Sequence, residues 1–343
     1  MKGFELQFVF PTDQDWQDYI QCQPGVNIFH HPGWMDLLKE CYGFGAFIMI
    51  LRDSGDSICV GLPIMEVNHI FRKQRWVSLP FSDHCAPLSS NPAAVVSLLE
   101  LLTSFDERPA FPSIEIRWNV FGRDISPDFV LHTLRLDRDF DTVNQGIHHS
   151  HSRNVRIARA NGIQITHGVG KEELSAFYDL HLQTRHRQGV PIQPRRYFDL
   201  LDEILLQQGL GFISLAWRDS TCVAGAVFLH WKDTLTYKYG ASTELGLSAR
   251  ANHLLFWDAI RWGCENGYSL LDFGRTDCDN EGLRLFKGRW GAVEVPLYYS
   301  TISSQPQQNT SIHKLKNIAQ SVIKRSPPWV CRLSGEFLYR FFG

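Results

Sequence analysis

Residues Tyr237–Ala292 read YKYGASTELGLSARANHLLFWDAIRWGCENGYSLLDFGRTDCDNEGLRLFKGRWGA. An apolar strand over Thr234–Ala241 enters a polar turn, and a helix over Ala249–Asn266 follows, stopped by Gly267. A second strand, Ser269–Phe273, leads to a short helix at Gly282–Lys287 that closes on the pair Phe286-Lys287. Ser248 is placed as the N-cap of the long helix, with the fixed charge of Arg250 beside it and Asn252 and His253 in its first turn. Such a helix start presents unpaired backbone N–H groups to an anion, so a phosphate-bearing ligand is one use of it. An ordinary capped helix that binds nothing is the other.

Upstream of this unit, helices are expected at Glu172–Arg187 and Arg195–Gln208, and strands at Phe212–Arg218 and Val223–Trp231 around the turn Arg218-Asp219-Ser220-Thr221. The first half follows a similar order. A helix at Trp34–Tyr42 precedes strands at Ala46–Leu51 and Ser57–Val67, joined by the hairpin turn Asp53-Ser54-Gly55-Asp56. A strand at Arg75–Leu79, the polar loop PFSDHCAPL, a helix at Ala93–Leu102 and the alternating strand Ile114–Trp118 complete it. Hairpin, strand, loop, helix and strand occur twice, which reads as an architectural duplication without a sequence repeat. The fold class is α/β with mixed sheets (α+β). The boundary is set after the strand Phe129–Leu136, giving an N-terminal domain over 1–142, a second over 143–305, and a distinct segment over 306–343.

That last segment carries Lys314, Lys316, Lys324, Arg325, Arg332 and Arg340, with apolar Leu315, Ile318, Val322 and Ile323 at helical spacing. Pro327-Pro328 interrupts it, and Trp329, Phe337, Phe341 and Phe342 follow. A basic amphipathic end of this kind either docks on the first domain or touches the anionic inner face of a membrane.

Composition narrows the class. The 343 residues are 44% hydrophobic and 20% charged, which is that of a globular chain, and the net charge of −2 argues against broad coating of nucleic acid. Eight cysteines without a C-x-x-C pair read as small buried hydrophobes of a reducing compartment. The N-terminus MKGFELQFVF lacks the form of a signal peptide, and the longest apolar run, Phe44–Leu51, is far short of a membrane span. A cytoplasmic location is expected.

Among candidate sites, Asp272-Phe273-Gly274 suggests a kinase, but H-R-D and the Gly-rich loop with its strand lysine are missing. Asp272 is therefore a structural or site-lining carboxylate. Phe286-Lys287-Gly288-Arg289-Trp290-Gly291 ends a short helix in cations, suited either to a developing negative charge or to the helix dipole. Arg153, Arg156 and Arg159 share one helical face downstream of His148, His149 and His151, and form a phosphate-facing stripe or a solvated surface. Thr184-Arg185-His186-Arg187-Gln188-Gly189 is a second cationic cluster at a helix end with the same two uses. The histidine spacing matches no metal site, and none is expected. No nucleophile elbow, zinc-protease helix, Walker loop or dinucleotide fingerprint is present, which favours chemistry in which positioned substrates react directly.

As a set, these segments resemble the FemAB-type aminoacyltransferases and related acyltransferases of the GNAT superfamily. The resemblance rests on Arg153-Asn154-Val155-Arg156 with Gly162, Thr184-Arg185-x-Arg187-x-Gly189-x-Pro191, and Tyr239-Gly240-Ala241-Ser242. It continues through Asn252 with Trp257, Asp272-Phe273-Gly274-Arg275, and Phe286-Lys287 with Trp290-Gly291. In the first half it includes Pro32-Gly33-Trp34 and Phe81-Ser82-Asp83 with Ala86-Pro87-Leu88. It implies tandem GNAT-like domains packed around a cleft, with the C-terminal segment returning to the first.

It also implies transfer of an acyl or aminoacyl group to an amine of a cell-envelope precursor, of peptidoglycan or of an exopolysaccharide. The acceptor would be a small molecule or lipid-linked. The donor would be acyl-CoA or aminoacyl-tRNA, a co-substrate and not a bound cofactor. The resemblance sets Phe286 and Lys287 by the donor; chemically, Lys287 suits the carbonyl oxygen and Asp272 or Asp83 the proton, or acceptor-assisted transfer needs no protein base. Phe286, Arg250, Asn252, Tyr239, Ser242 and Arg275 face the donor, and Arg153, Arg156, Arg185, Arg187, Trp34 and Ser82 face the acceptor. The chain lacks the long helical hairpin with which some members grip tRNA, which keeps a coenzyme A donor in view. The contrasting reading is a catalytically silent scaffold of an envelope-polysaccharide assembly.

Overall fold

Mostly antiparallel strands with a parallel pair form each of two sheets, and each sheet has its own core. The computed structural model describes residues 3–67, 74–106, 112–119, 127, 129–302, 320 and 323–339. They fall into two compact units.

The first unit is built on a six-stranded mixed sheet in the order β1-β2-β3-β4-β5-β13. Its elements are β1 (Phe4–Val9), α1 (Gln14–Cys22), α2 (Pro32–Tyr42), β2 (Gly45–Asp53), β3 (Ile58–Val67), β4 (Arg75–Ser78), α3 (Pro92–Asp106) and β5 (Ile114–Ile116). The β2–β3 hairpin forms at the expected turn, where the Asp53 carboxylate accepts from the N–H groups of Gly55 and Ser57 at 2.9 and 3.0 Å. Trp16 on α1 is fully buried and lies over Gly61 of β3, where a Cβ would overlap its ring. Strand β13 (Ser300–Ile302) follows the second unit in sequence, yet pairs antiparallel with β5 through Ser300↔Ile116 and Ile302↔Ile114.

The second unit holds a seven-stranded sheet ordered β12-β6-β11-β10-β9-β8-β7. Strand β6 (Phe129–Arg135) opens it, followed by α4 (Phe140–Gln145), α5 (His149–Ala160), β7 (Ile163–Gly168) and α6 (Lys171–Gln188). Next come α7 (Arg195–Leu201), which continues as a π-helical stretch over Asp202–Leu206, and the meander β8 (Gly211–Arg218), β9 (Thr221–Trp231) and β10 (Thr234–Ser242). Then follow α8 (Glu244–Ser248), α9 (Ala251–Glu265), β11 (Leu270–Asp277), α10 (Glu281–Gly288), β12 (Val293–Leu297) and α11 (Pro328–Leu338). Leu254, Leu255, Ala259 and Ile260 of α9 pack with Leu235 of β10, Phe228 of β9 and Leu271 and Phe273 of β11 to form one face of the core.

Three expectations are corrected here. The second unit begins at Phe129 and not after residue 142, because β6 pairs antiparallel with β11 from Arg135↔Leu270 to Phe129↔Asp277. Ser248 does not cap α9: it ends α8, and its hydroxyl donates back to the Leu245 carbonyl at 2.9 Å. Thr243 caps α8 instead, and Arg250 occupies the N-cap of α9 with a left-handed φ of 65°.

The third concerns the C-terminal segment, expected on the first domain: Tyr339 does belong to the first unit, its ring 5.6 Å from that of Phe81, but the helix before it does not. Over Pro328–Leu338 it packs on α6 of the second unit, where the Cys331 thiol donates to the Val190 carbonyl at 3.2 Å. Gly335 sits so close that a Cβ would overlap the Ile192 carbonyl oxygen. Lys314, Leu315, Lys316, Ile318, Val322, Arg340, Phe341 and Phe342 lie outside the described residues.

The contact of Trp16 with Gly61 gives a direct test of the first core. Gly61→Ala inserts a methyl against a fully buried ring, and overpacking of this kind costs about 1–3 kcal/mol. Urea unfolding should show that loss, and an unchanged midpoint would mean that the ring can move aside.

Candidate active site

The chemistry-bearing residues of the second unit gather where two parallel strands part. Strands β10 and β11 pair in parallel only over Thr234–Thr236 and Leu270–Asp272. Beyond that point β10 stays with β9 as far as Ser242, after a bulge between Tyr237 and Tyr239. Strand β11 stays with β6 as far as Asp277, after a bulge between Asp272 and Arg275. The sheet therefore opens into a V whose two inner edges are main chain.

Lys287 holds one arm of that opening. Its side chain reaches from the end of α10, is only 3% exposed, and donates from Nζ to the carbonyls of Gly274 and Arg275 at 2.8 and 3.2 Å. These carbonyls belong to the bulge, where Gly274 has a left-handed φ of 69°. Asp272, 2% exposed, supports the same turn by accepting from the Gly274 N–H at 2.7 Å. Lys287 and Asp272 are thus brought together by the bulge, and both are engaged with backbone. Nearby, burial and then the Lys287 charge lower the pKa of His132, whose Nε2 lies 3.0 Å from Glu294.

The opposite arm meets the start of α9 and the end of α6. The Thr184 hydroxyl accepts from the Ser242 N–H at 3.0 Å and donates to the Ser242 carbonyl at 3.2 Å. Arg187 donates to that same carbonyl at 2.9 Å, and Asn252 reaches the Ser242 hydroxyl at 3.5 Å. Arg185 donates to the Pro191 carbonyl at 3.1 Å. Tyr239 donates to the Tyr197 hydroxyl at 2.9 Å, within a ring cluster that includes Phe198 and His181. Arg185 and Arg187, expected on the acceptor side, therefore stand with Tyr239, Ser242 and Asn252, which were expected on the donor side.

Phe286 packs against His151 and His253, which sequence reasoning named without a catalytic or binding role. The His151 Nε2 is 2.9 Å from the Phe286 carbonyl, and the His151 and His253 rings are 4.7 Å apart. Asn154 and the His253 Nε2 are 3.0 Å apart. Burial, then the neighbouring His151 and Arg250, pushes His253 down to about 4. Burial also lowers His151. His181, wholly enclosed, is pushed down to about 3 by burial and then by the Arg185 charge. All three imidazoles are neutral at pH 7 and are weak bases there. No local signal marks them, since their partners come from other elements.

Other expected residues are not gathered at the opening. Arg153 and Arg156 lie exposed on α5, and Arg275, although on the β11 arm, sends its exposed guanidinium 4.5 Å over the Phe129 ring. Trp34, Ser82 and Asp83 belong to the first unit. Trp34 is fully buried against Phe29, and Ser82 is 1% exposed with its hydroxyl on the Leu79 carbonyl at 2.6 Å. Both fill the core of that unit and offer no surface to an acceptor. The Asp83 carbonyl accepts from Tyr299 at 2.7 Å. Among the described residues no group of three or more His, Cys, Asp or Glu could hold a metal ion.

Residues 149–282 match the acetyltransferase (GNAT) domain family. No curated protein matches the chain in sequence. Among solved structures it is similar to FemX, at 16% identity and a TM-score of 0.69 over 91% of this chain and 99% of that one. It is also similar to L-PGS from Bacillus licheniformis, at 12% identity and a TM-score of 0.53 over 93% and 99% of the two chains. A tandem GNAT protein from the clavulanic acid biosynthesis pathway, solved without AcCoA, gives 12% identity and a TM-score of 0.55 over 89% and 100%. The chain has a FemAB-like tandem GNAT fold, and the match to the acetyltransferase (GNAT) domain lies within its second unit.

The enclosed His181 makes stability depend on pH in a definite direction. Its folded pKa lies below the ordinary 6.5, so on acidification the unfolded chain takes up a proton that the folded one refuses. Its contribution is therefore full above 6.5 and is lost as pH falls toward 3. The urea midpoint should drop across that window, and His181→Gln should flatten the drop. An identical pH slope in the variant would show that His181 is not the group refusing the proton.

Proposed function

We propose that the protein transfers an acyl or aminoacyl group from an activated donor, acyl-CoA or aminoacyl-tRNA, to an amine of a cell-envelope precursor. The observation that carries this reading is the parting of β10 and β11 after three residue pairs inside the matched acetyltransferase domain. An extended, amide-bearing arm such as that of an acyl-CoA can lie against such open strand edges and take up their backbone hydrogen bonds. The start of α9, with Arg250 and Asn252, and the end of α6, with Arg185 and Arg187, supply N–H groups and cations for phosphates at the end of that arm. The likeness to a tandem GNAT protein described with reference to AcCoA supports a coenzyme A donor. The FemX-like fold and the FemAB-type motifs support an envelope acceptor.

Attack of an amine on a thioester or ester carbonyl forms the new amide bond and expels the thiol or alcohol. The step needs orientation, a proton acceptor, and relief of the negative charge on the carbonyl oxygen. Orientation falls to the two strand edges. In this reading Lys287 acts first as a positioning residue: its ammonium ties the Gly274 and Arg275 carbonyls and keeps β11 turned away from β10. Asp272, fixed on the Gly274 N–H, shares that task. With the buried imidazoles neutral and weakly basic, the departing thiolate or alkoxide is the proton's destination.

The test uses purified full-length protein with acyl-CoAs and with charged tRNA, read by thermal shift and by mass spectrometry of amine acceptors. A donor-specific rise in melting temperature and an amide product are expected. Lys287→Ala should cut transfer by about a hundredfold and abolish the donor shift. Full transfer by that variant would remove Lys287 from the site. No response to any donor would favour the silent scaffold.

A further inference from the structure

Helix α11 has two faces of different character. One is docked on the second unit through Cys331 and Gly335, at backbone-to-backbone distance from Ile192. Glu336, exposed between the two faces, accepts from the Arg195 N–H at 3.3 Å. The other face carries Trp329, Leu333 and Phe337, which are 61%, 48% and 65% exposed. Spacing of four residues sets these three in one line along the helix. Exposed Lys324 and Arg325 precede the line, and exposed Arg332 flanks it. Soluble proteins rarely leave an aligned row of large apolar side chains in water without a use for it.

We propose that this face of α11 docks the protein on an anionic lipid surface. Aromatic and aliphatic side chains on one line, with three cations and a single acid around them, are the composition of a helix that lies in the headgroup region. A second copy of the chain fits less well. A two-fold interface would bring together two copies of a patch that holds three cations to one acid, so the excess positive charge of each would oppose the other. Because Gly335 allows the helix backbone to seat directly on Ile192, the apolar row is presented by a fixed support and needs no refolding to bind. This docking is independent of which donor the enzyme uses, and it stands or falls without any transfer reaction.

The experiment is vesicle co-sedimentation of the full chain, without donor or acceptor. Vesicles of phosphatidylglycerol with phosphatidylcholine are compared with phosphatidylcholine alone, at low and high salt. Binding to the anionic vesicles, weakened by salt, is expected. The combined variant Trp329→Ser, Leu333→Ser and Phe337→Ser should lose binding by about tenfold or more. Lys324→Glu with Arg325→Glu and Arg332→Glu should remove the preference for anionic lipid. These positions are exposed, so circular dichroism and melting temperature serve as the control for folding. No sedimentation of the wild type at low salt would overturn the proposal, as would equal sedimentation of the apolar variant. A wild-type dimer in solution that the apolar variant dissolves would also overturn it, assigning the face to a second copy.

Discussion

The short parallel pairing of β10 with β11 is the constraint on which the second unit depends. Three residue pairs join the two strands, and each then follows a different antiparallel partner. A parallel pair needs a crossover, and α8 and α9 supply it, so the start of α9 is delivered beside the opening. The parting is maintained by chemistry on β11. A bulge at Gly274 turns carbonyls away from the ladder, and the buried Lys287 ammonium satisfies two of them. A backbone carbonyl left unpaired in this enclosed position would cost about 1–3 kcal/mol, so lysine and bulge stabilise each other.

This places Lys287 differently from the role that its motif implies. The Phe-Lys pair was expected to face the donor, with the ammonium aimed at a reacting carbonyl. In the structure the ammonium addresses backbone, and the Phe286 carbonyl is held in turn by His151. A residue can be indispensable to transfer by fixing the shape of a strand edge, and the two roles differ in what they do to stability. The same distinction applies to Trp34 and Ser82, whose motif positions coincide with core packing in the first unit.

Enclosed histidines are the other feature that organises the site. His151, His181 and His253 sit among aromatic rings, where an imidazolium would lose its hydration without gaining a counter-charge. They remain neutral and serve as directional hydrogen-bonding groups within apolar surroundings. Cationic charge at the opening thereby comes from Lys287 on one arm and from the arginines of α6 and Arg250 on the other.

Much of the local structure was legible in the sequence. The turn at Asp53-Ser54-Gly55-Asp56, the helix over Glu172–Arg187 and the meander from Phe212 to Ala241 follow from alternation, helical period and turn chemistry, which act over a few residues. The motif order from Arg153 to Gly291 was enough to point to the FemAB-like fold. What only the tertiary structure decided is which strand lies beside which. Apolar alternation in Phe129–Leu136 announces a strand but not its partner, and β6 joined the second sheet because β11 had an edge to complete. Likewise Ser300–Ile302 crosses back to β5 over a sequence distance that no local pattern spans. The burial of Lys287 and the neutrality of His181 and His253 depend on groups contributed by several elements. Dielectric and hydrogen-bond partners belong to the assembled sheet, and neither is written in a residue's neighbours along the chain.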